Sequence, residues 1–329
     1  MKLTLPLFFI AFCCAMSAFA QRQPKPVNII FDSDIGPDYD DVGAITILHT
    51  LADAGEAKIL ATMASNRYDG IAAVLNIFNT YFKRPDLPIG VAGPNAVDMR
   101  DGQHWTDTLL AKYPHKIKTN ADAWDAVKLY RKILAAQPDH SVTIVTIGFL
   151  TNISDLLNSS SDEYSKLSGR DLVAKKVKQL VSMAGKFPWG YEFNVIKDIA
   201  AANNVFQTIG IPVTYSGFEI GEKIKVGLPL VNDVAIQNSP VKDAFRIAMS
   251  KSADDEKGRM SWDETAVLVA IKGYTTYYDL HPGKMAPLAQ DGKNMWNDNG
   301  KGQGYLLEKV DHQQVQDLID KLIRHQPLK

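Results

Sequence analysis

Five aspartates lie within ten residues near the start of the chain, in the segment 32–41. They are Asp32, Asp34, Asp38, Asp40 and Asp41. Carboxylates this close repel one another strongly unless a cation neutralises part of their charge. Oxygen ligands of this kind suit a hard divalent ion, calcium or magnesium. Helix capping would explain one or two of these side chains but not the whole cluster. The spacing therefore predicts a metal site.

The same cluster is compatible with a different chemistry. A strand that ends in Asp-x-Asp also opens the phosphatases of the haloacid dehalogenase type, in which Asp32 would be the nucleophile and Asp34 the acid and base, with magnesium. Gly36 stands where those phosphatases usually have Thr or Val. Together with Pro37, Gly36 supplies a sharp turn that can fold the later aspartates back toward Asp34.

Short apolar runs alternate with helical patterns along most of the chain, which predicts the elements that position the cluster. The predicted strands are Val27–Phe31, Lys58–Met63, Pro88–Ala92, Val142–Ile147, Lys178–Met183 and Pro212–Ser216. The predicted helices cover 41–54, 71–78, 121–136, 197–208 and 313–324, with another that starts near Thr151. Beyond Tyr274, short Gly-rich segments are typical of small hairpins before the closing helix.

This alternation predicts an α/β fold with an open, mostly parallel sheet and helices on both faces. Ligands of such sheets bind at the carboxyl ends of the strands. We therefore expect the functional side chains directly after the predicted strands, within one domain that covers 27–329.

Residues 1–20 have the pattern of a secretory signal peptide: Lys2, a short apolar stretch, and Ala18-Phe19-Ala20 before a cleavage point. A polar linker, 21–26, follows. Both cysteines, Cys13 and Cys14, fall inside the signal, so the mature chain would have no disulfide, thiolate metal ligand or Cys nucleophile. We expect an exported protein, periplasmic or secreted, without a membrane anchor after cleavage.

The overall charge gives no reason to expect nucleic acid as a partner. The chain carries 36 Lys and Arg residues against 37 Asp and Glu residues, and it has no long basic run. Its hydrophobic fraction of 46% is that of a globular chain, which excludes a disordered or collagen-like protein. A small molecule is therefore the expected partner.

Four further segments carry a resemblance to a known family. They are Ser65-Asn66, Ser182-Met183-Ala184-Gly185, Glu192-Phe193-Asn194 and Trp262-Asp263-Glu264-Thr265-Ala266. With the aspartate cluster, in this order and spacing, they resemble the calcium-dependent nucleoside hydrolases of the inosine-uridine-preferring type. The resemblance covers nearly the whole mature chain. It implies a Rossmann-like core and hydrolysis of the N-glycosidic bond of a nucleoside or related N-riboside, as used in purine and pyrimidine salvage.

The resemblance also implies individual roles, with one Ca²⁺ ion as cofactor. Asp34 matches the metal-bound carboxylate that activates the attacking water. Asp41 and Asp263 match further metal ligands, and Ile147 falls where the family donates a backbone carbonyl to the ion. The residues that match sugar-binding positions are Asp40, Asn66, Met183, Glu192 and Asn194.

The main departure from the family is Trp262, which stands where well-known members have a His proposed to protonate the leaving base. An indole cannot donate that proton usefully, but it can stack on a base. Other conceivable donors are Tyr191, Glu219, Glu222 and His281, and the sequence does not choose among them. The interval from Asp34 to Asp40 is also longer than in the shortest family pattern.

Three hypotheses remain open at this point. The first is the calcium-dependent hydrolase, and the second is the phosphatase with Asp32 as nucleophile. The third is a non-catalytic periplasmic binder of nucleosides or sugars, in which the missing His reflects lost turnover. Members of the family often form dimers or tetramers, which leaves a homo-oligomer open for this chain.

Overall fold

The computed structural model describes residues 25–328. The predicted signal, both cysteines and most of the predicted linker lie outside the described residues. Among residues 25–328, no helix combines the length and the apolar character needed to cross a bilayer. The prediction that 27–329 form a single domain stays a prediction.

Within the described part of the chain, thirteen strands and thirteen α-helices follow one another. The strands are β1 (Val27–Ser33), β2 (Ala57–Ala64), β3 (Ile89–Val91), β4 (Trp124–Asp125), β5 (Val142–Thr146), β6 (Val177–Met183), β7 (Trp189–Gly190), β8 (Val213–Ser216), β9 (Lys225–Val226), β10 (Arg259–Met260), β11 (Tyr278–Met285), β12 (Asn294–Asn297) and β13 (Gln303–Glu308). The helices are α1 (Asp40–Asp53), α2 (Ile71–Tyr81), α3 (Trp105–Lys112), α4 (Ala126–Ala136), α5 (Thr151–Asn158), α6 (Gly169–Lys176), α7 (Phe193–Lys197), α8 (Ile199–Thr208), α9 (Phe218–Gly221), α10 (Leu228–Asn232), α11 (Pro240–Met249), α12 (Trp262–Lys272) and α13 (His312–Ile323).

Eleven of these strands form one sheet, in the order β4-β3-β2-β1-β5-β6-β8-β13-β11-β12-β7. From β4 to β13 every neighbouring pair is parallel. The last three pairs, from β13 through β11 and β12 to β7, are antiparallel. This arrangement confirms the predicted α/β fold with a mostly parallel sheet.

Helices cover both faces of the sheet, and β1 shows why its run of apolar residues is continuous. Ile29 and Phe31 belong to one apolar core together with residues of α1, α2 and α12. Ile30, which points to the other face, belongs to a second core with residues of α4, α5 and α8. Successive side chains of a strand point to opposite sides, so a strand that is covered on both faces is apolar at consecutive positions, here 29–31.

Two of the predicted elements differ from the structure. The helix predicted over 121–136 begins at Ala126, because the chain first forms the short strand β4, and Asp125 then caps the helix by accepting a hydrogen bond from the backbone N–H of Lys128. The region predicted to form small C-terminal hairpins does pair antiparallel, β11 with β12 and with β13, but as part of the main sheet. Strand β13 pairs in parallel with β8, with Gln303 opposite Val213, so the end of the chain completes the sheet.

An ion pair with a buried arginine ties α4 to the loop before α6. The Arg131 side chain is 2% exposed, and its Nε donates to Asp162 Oδ2 at 2.7 Å. It also donates to Ser159 Oγ at 2.9 Å and to the carbonyls of Ser165 and Leu167. Removal of Arg131 would leave these acceptors, two backbone carbonyls among them, without their donor, which lowers stability.

We expect the substitution Arg131→Met to lower the free energy of unfolding by about 1–3 kcal/mol, because Asp162 and two carbonyls lose their donor. Denaturant titration followed by circular dichroism measures the effect. The matched control is Lys116→Met, which breaks an ion pair with Asp86 whose side chains are 64% and 82% exposed. The control should leave the denaturant midpoint of unfolding unchanged. Equal losses of stability in the two variants would contradict the stabilising role assigned to Arg131.

Candidate active site

A cavity of about 540 Å³ opens at the carboxyl ends of β1, β5 and β6, the edge at which ligands of open α/β sheets bind. Carboxyl groups, two arginines, an amide pair and three aromatic rings line it. The lining residues are Asp34, Pro37, Asp38, Asp40, Asp41, Met99, Arg100, Gly102, Gln103, Ile147, Met183, Glu192, Phe193, Asn194, Phe218, Arg259, Trp262 and Asp263. Nine of the ten site residues predicted from the sequence are among them, and Asn66 is the exception.

The turn between β1 and α1 brings the early aspartates together. Gly36 has a φ angle of +150°, and a Cβ atom there would lie 2.5 Å from the ring of Tyr68, so only glycine fits. Beyond the turn the chain reverses, and Ser33 Oγ donates to Asp41 Oδ1 at 2.5 Å. The predicted return of the later aspartates toward the end of β1 is therefore present in the structure.

One oxygen atom from each of Asp40, Asp41 and Asp263 lies within 4.8 Å of the others. Asp263 reaches this point from the first turn of α12, which packs against α1. All three side chains are buried, and Asp41 Oδ2 has no hydrogen-bond partner among the described residues. A buried carboxylate oxygen without a donor is costly, and a bound cation would remove that cost.

Burial and mutual repulsion raise the pKa of these carboxyl groups. Burial is the larger cause for Asp41 and Asp263, and the neighbouring negative charges add to it. The pKa of Asp34 also lies well above its ordinary value, because of burial first and the charge of Asp38 next. The all-oxygen donor set and the unpartnered Asp41 Oδ2 fit a hard divalent ion such as calcium.

The ligand set of the resemblance differs from this cluster in one respect. The resemblance gives Asp34 to the metal and Asp40 to the sugar, whereas the three converging carboxylates include Asp40. Both oxygens of Asp40 already accept hydrogen bonds, Oδ1 from Arg259 at 3.1 Å and Oδ2 from the backbone N–H of Asp263 at 3.3 Å. Protein donors thus satisfy both oxygens of Asp40, whereas Asp41 Oδ2 has no such donor.

Residues at the ends of β5 and β6 form the opposite wall. Asn194 Nδ2 donates to the carbonyls of Ile147 and Met183, each at 3.3 Å. Glu192 caps α7 and accepts from the backbone N–H groups of Asn194 at 2.7 Å, Gly185 at 3.1 Å and Val195 at 3.2 Å. Burial raises the pKa of Glu192 to about 7, against the lowering effect of these donors.

Asn66 lies beside the cavity and is used by the backbone around it. Its Nδ2 donates to the carbonyl of Asp34 at 3.2 Å and to that of Met99 at 2.5 Å. Its Oδ1 accepts from the N–H groups of Arg67 and Met99. In this structure Asn66 fixes the loop that carries Asp34 against the loop that carries Met99, and its contact with a sugar stays a prediction.

The phosphatase hypothesis requires a nucleophilic Asp32, and the structure gives that side chain another environment. Asp32 is buried outside the cavity lining, where Tyr130 donates to Oδ2 at 2.7 Å and Asn152 Nδ2 lies 3.1 Å from both carboxylate oxygens. Burial raises its pKa to about 7 although these donors lower it. A carboxylate enclosed in this way cannot attack a phosphate ester in the cavity.

Trp262 lines the cavity with a fixed orientation. Its Nε1 donates to the carbonyl of Phe218 at 2.9 Å, and the two rings lie 5.2 Å apart, centroid to centroid. Of the other donors considered from the sequence, Tyr191 donates to Asp291 and His281 pairs with Asp298, both at exposed positions. Neither those two nor Glu219 and Glu222 belong to the cavity lining.

Sequence reasoning missed one central residue, Arg259. Its Nη2 donates to Asp38 and Asp40, and its guanidinium carbon lies 5.0 Å from the ring centroids of both Tyr39 and Trp262. The net effect of its surroundings is to raise the pKa of Arg259. Burial lowers this pKa, but the carboxylates around the guanidinium raise it by more, so the group stays charged. The available signal was a basic residue three positions before Trp262.

The loop that contributes Met99, Arg100, Gly102 and Gln103 was also missed, as were Phe193 and Phe218. The loop reaches the cavity through contacts distant in sequence. Lys251 Nζ donates to the carbonyl of Gln103, for example. Nothing in the local pattern of residues 99–103 distinguishes them from an ordinary surface loop.

Comparisons with known proteins agree with this geometry. A sequence model of the family described as inosine-uridine preferring nucleoside hydrolase matches residues 29–317. Pyrimidine-specific ribonucleoside hydrolases of Salmonella enteritidis and Salmonella gallinarum are 32% identical over 212 residues, which is 60% of this chain and 62% of each relative. The chain thus spans 62% of the length of these curated relatives.

Solved structures share the fold at low sequence identity. A plant nucleoside hydrolase is 19% identical with a TM-score of 0.70, covering 91% of this chain and 99% of that one. A purine-preferring ribonucleoside hydrolase from Gardnerella vaginalis is 16% identical with a TM-score of 0.70, covering 90% and 99%. The type III effector protein XopQ, complexed with adenosine diphosphate ribose, is 18% identical with a TM-score of 0.68, covering 91% and 94%.

The carboxylate cluster makes a prediction about stability that needs no substrate. An ion that binds only the folded chain at about 100 times its Kd adds about 2.7 kcal/mol of stability. We expect calcium added to chelator-treated protein to raise Tm by about 4 °C in a thermal scan. The substitution Asp41→Asn should remove most of this rise, because Asp41 contributes the unpartnered oxygen.

The matched control is Asp69→Asn, at an exposed position after β2. This variant should keep the whole calcium-dependent rise in Tm. A wild-type Tm that does not change with either calcium or magnesium would contradict the assignment of a divalent ion to the cluster.

Proposed function

Because the chain belongs to the inosine-uridine preferring nucleoside hydrolase family, we propose that it hydrolyses the N-glycosidic bond of ribonucleosides or related N-ribosides. The products would be ribose and the free base. The observation that carries the proposal is the cavity at the carboxyl ends of β1, β5 and β6, where Asp34, Asp41 and Asp263 face Glu192 and Asn194. That arrangement combines oxygen ligands, a candidate base and polar groups for a sugar.

Hydrolysis of a glycosidic bond passes through a state in which the anomeric carbon carries positive charge. Asp34 would accept the proton of the attacking water, so that the oxygen becomes a better nucleophile as the bond to the base breaks. Asp34 follows β1 and lines the cavity, so its carboxylate is placed to act on a water molecule there. The negative charge of the surrounding carboxylates would also stabilise the cationic sugar ring.

The residues that would hold one Ca²⁺ ion are Asp34, Asp41 and Asp263, with the backbone carbonyl of Ile147. Both oxygens of Asp40 already accept hydrogen bonds from the protein, so this carboxylate needs an ion less than Asp41 does. We therefore assign Asp40 to a sugar hydroxyl and not to the ion. A calcium ion, when bound, would supply Lewis acidity toward a water molecule and toward the sugar diol. Ser33 would keep Asp41 in its orientation by donating to Oδ1.

Glu192, Asn194 and Met183 would bind the sugar from the other wall. Glu192 is fixed by three backbone N–H groups, and Asn194 is tied to the ends of β5 and β6, so neither side chain has to be ordered when the ligand arrives. A preformed site saves the entropy of ordering its side chains. Asn66 would act on the same sugar only if its backbone hydrogen bonds were exchanged.

Trp262 and Phe218 would form the base side of the cavity. Their rings are adjacent, and the hydrogen bond from Trp262 Nε1 to the Phe218 carbonyl keeps the indole in place. A flat base can stack on such a surface whatever its hydrogen-bonding edge. From the signal-like segment 1–20 we also propose that the reaction takes place outside the cytoplasm. The released bases would then be available for salvage.

Replacement of Asp34 by Asn should remove the base without changing the shape of the side chain. We expect kcat for nucleoside hydrolysis to fall by about 10²–10⁴-fold, with KM changed far less. Base release from a nucleoside panel, with and without chelator, measures both constants. Asp69→Asn is the control and should keep full activity.

Wild-type protein that, with calcium present, releases no base from any common nucleoside would refute the proposed function. Tight nucleoside binding without product would then favour the non-catalytic binder.

Replacement of Trp262 by Ala should remove the stacking surface. We expect the Kd of nucleoside ligands to rise by about tenfold, which corresponds to about 1.4 kcal/mol, while the Kd of free ribose stays nearly constant. Titration calorimetry with the Asp34→Asn variant as background avoids turnover during the measurement. Trp262→Phe should keep most of the affinity, and equal losses for nucleoside and ribose would assign Trp262 to packing alone.

A further inference from the structure

The carboxyl group of Asp40 lies within reach of the proposed ion, although we assign it to the sugar. One of its oxygens lies within 4.8 Å of an oxygen of Asp41 and of an oxygen of Asp263. Distance alone therefore does not separate Asp40 from the ligands of the ion. Another feature must decide which of the three carboxylates bind it, and the hydrogen bonds of Asp40 lead to Arg259.

Arg259 faces the carboxylates from the short strand β10, which pairs with β9. Its Nη2 donates to Asp40 Oδ1 at 3.1 Å and also to Asp38. The other arginine of the cavity, Arg100, has a side chain that is 44% exposed and that pairs with Asp107. Among the lining residues that the structure describes, Arg259 is thus the cation in contact with Asp40.

The surrounding protein fixes the guanidinium group of Arg259. Its carbon atom lies 5.0 Å from the ring centroids of Tyr39 and Trp262. Tyr39 is itself held, because its Oη donates to Asp255 Oδ2 at 2.8 Å. Arg259 as a whole is 8% exposed, so it has little room to turn toward solvent. The folded chain therefore keeps this positive charge beside Asp40.

The charge of Arg259 makes Asp40 a poorer ligand than Asp41. A metal ion that approached Asp40 Oδ1 would be repelled by the guanidinium bound to the same oxygen. Asp41 has no such neighbour: its Oδ1 accepts from the neutral hydroxyl of Ser33, and its Oδ2 has no donor among the described residues. The negative charge available to an ion is therefore greater at Asp41.

We propose that Arg259 is a positioning residue, which keeps Asp40 out of the coordination of the ion and so leaves that carboxylate to bind a sugar hydroxyl. The inference rests on the proposed function and adds a division of labour within its site. A carboxylate has about four lone-pair positions, so Asp40 can accept from Arg259, from the Asp263 N–H and from a hydroxyl at once. Without Arg259, Asp40 would turn to the ion, and the sugar would lose an acceptor.

The first test measures the Kd of calcium by titration calorimetry on the chelator-treated chain. We expect Arg259→Gln to lower this Kd by about tenfold, because a repelling charge is lost and a ligand is gained. Asp40→Asn should then raise the Kd about tenfold more in the Arg259→Gln protein than in the wild type, since Asp40 is a ligand only in the former. Equal effects of Asp40→Asn in the two backgrounds would overturn the inference.

The second test counts the water molecules on the ion and does not depend on affinity. Terbium takes oxygen ligands as calcium does, and its luminescence lifetimes in H₂O and D₂O give the number of bound waters. We expect about one water fewer in Arg259→Gln than in the wild type, because a carboxylate oxygen replaces it. The double variant with Asp40→Asn should regain the wild-type number, and an unchanged number in Arg259→Gln would overturn the inference.

The third test examines the sugar. We expect the Kd of free ribose for the calcium-loaded protein to rise by about tenfold in Arg259→Gln and in Asp40→Asn, with no further rise in the double variant. Such non-additivity shows that Arg259 acts on the sugar through Asp40. Losses that add up in the double variant would assign Arg259 a contact of its own and would overturn the inference.

The matched control is Arg246→Gln, which changes a 55% exposed arginine paired with Asp243 and should leave all three measurements unaffected. Circular dichroism and Tm establish that each variant folds. If Arg259→Gln does not fold, Asp40→Asn alone decides: an unchanged number of waters on terbium supports the inference, and an additional water overturns it. None of these measurements needs turnover, so a failure to release base from nucleosides would refute the proposed function separately.

Discussion

Repulsion among buried carboxyl groups is the constraint on which the rest of this structure depends. The turn after β1 and the first turn of α12 bring Asp40, Asp41 and Asp263 within 4.8 Å of one another, inside a protein interior that disfavours even one isolated charge. Such an arrangement needs compensating positive charge. Arg259 supplies part of it through Asp38 and Asp40, and the donor set around Asp41 is suited to a divalent ion for the remainder.

The parallel sheet explains how residues so distant in sequence meet. Strands β1, β5 and β6 are neighbours and run in the same direction, so the residues that follow them lie at one edge. Helix α12 adds Asp263 because it packs on α1 and begins at that edge. The sheet thus gathers the ligands, while short-range contacts such as Ser33 to Asp41 set their orientation.

Much of this was predictable because the relevant signals are local. Continuous apolar runs predicted the strands, since a strand covered on both faces has apolar residues at consecutive positions. Asp34, Ile147 and Met183 could then be recognised as residues at the ends of strands. Arg259 could not be found in this way, because its role comes from partners more than two hundred positions away, Asp38 and Asp40. The same holds for the loop of Met99, whose attachment through Asn66 is visible only in three dimensions.

The place of β13 has a consequence for how the chain acquires its fold. This strand lies between β8 and β11, although it is the last strand in the sequence. Until it is synthesised, β8 has one hydrogen-bonding edge without a partner, and an unpaired edge invites association with other chains. A nascent chain therefore carries an open edge until the segment that forms β13 leaves the ribosome. Protection by a chaperone during that interval would matter more for this protein than for one whose sheet closes in sequence order.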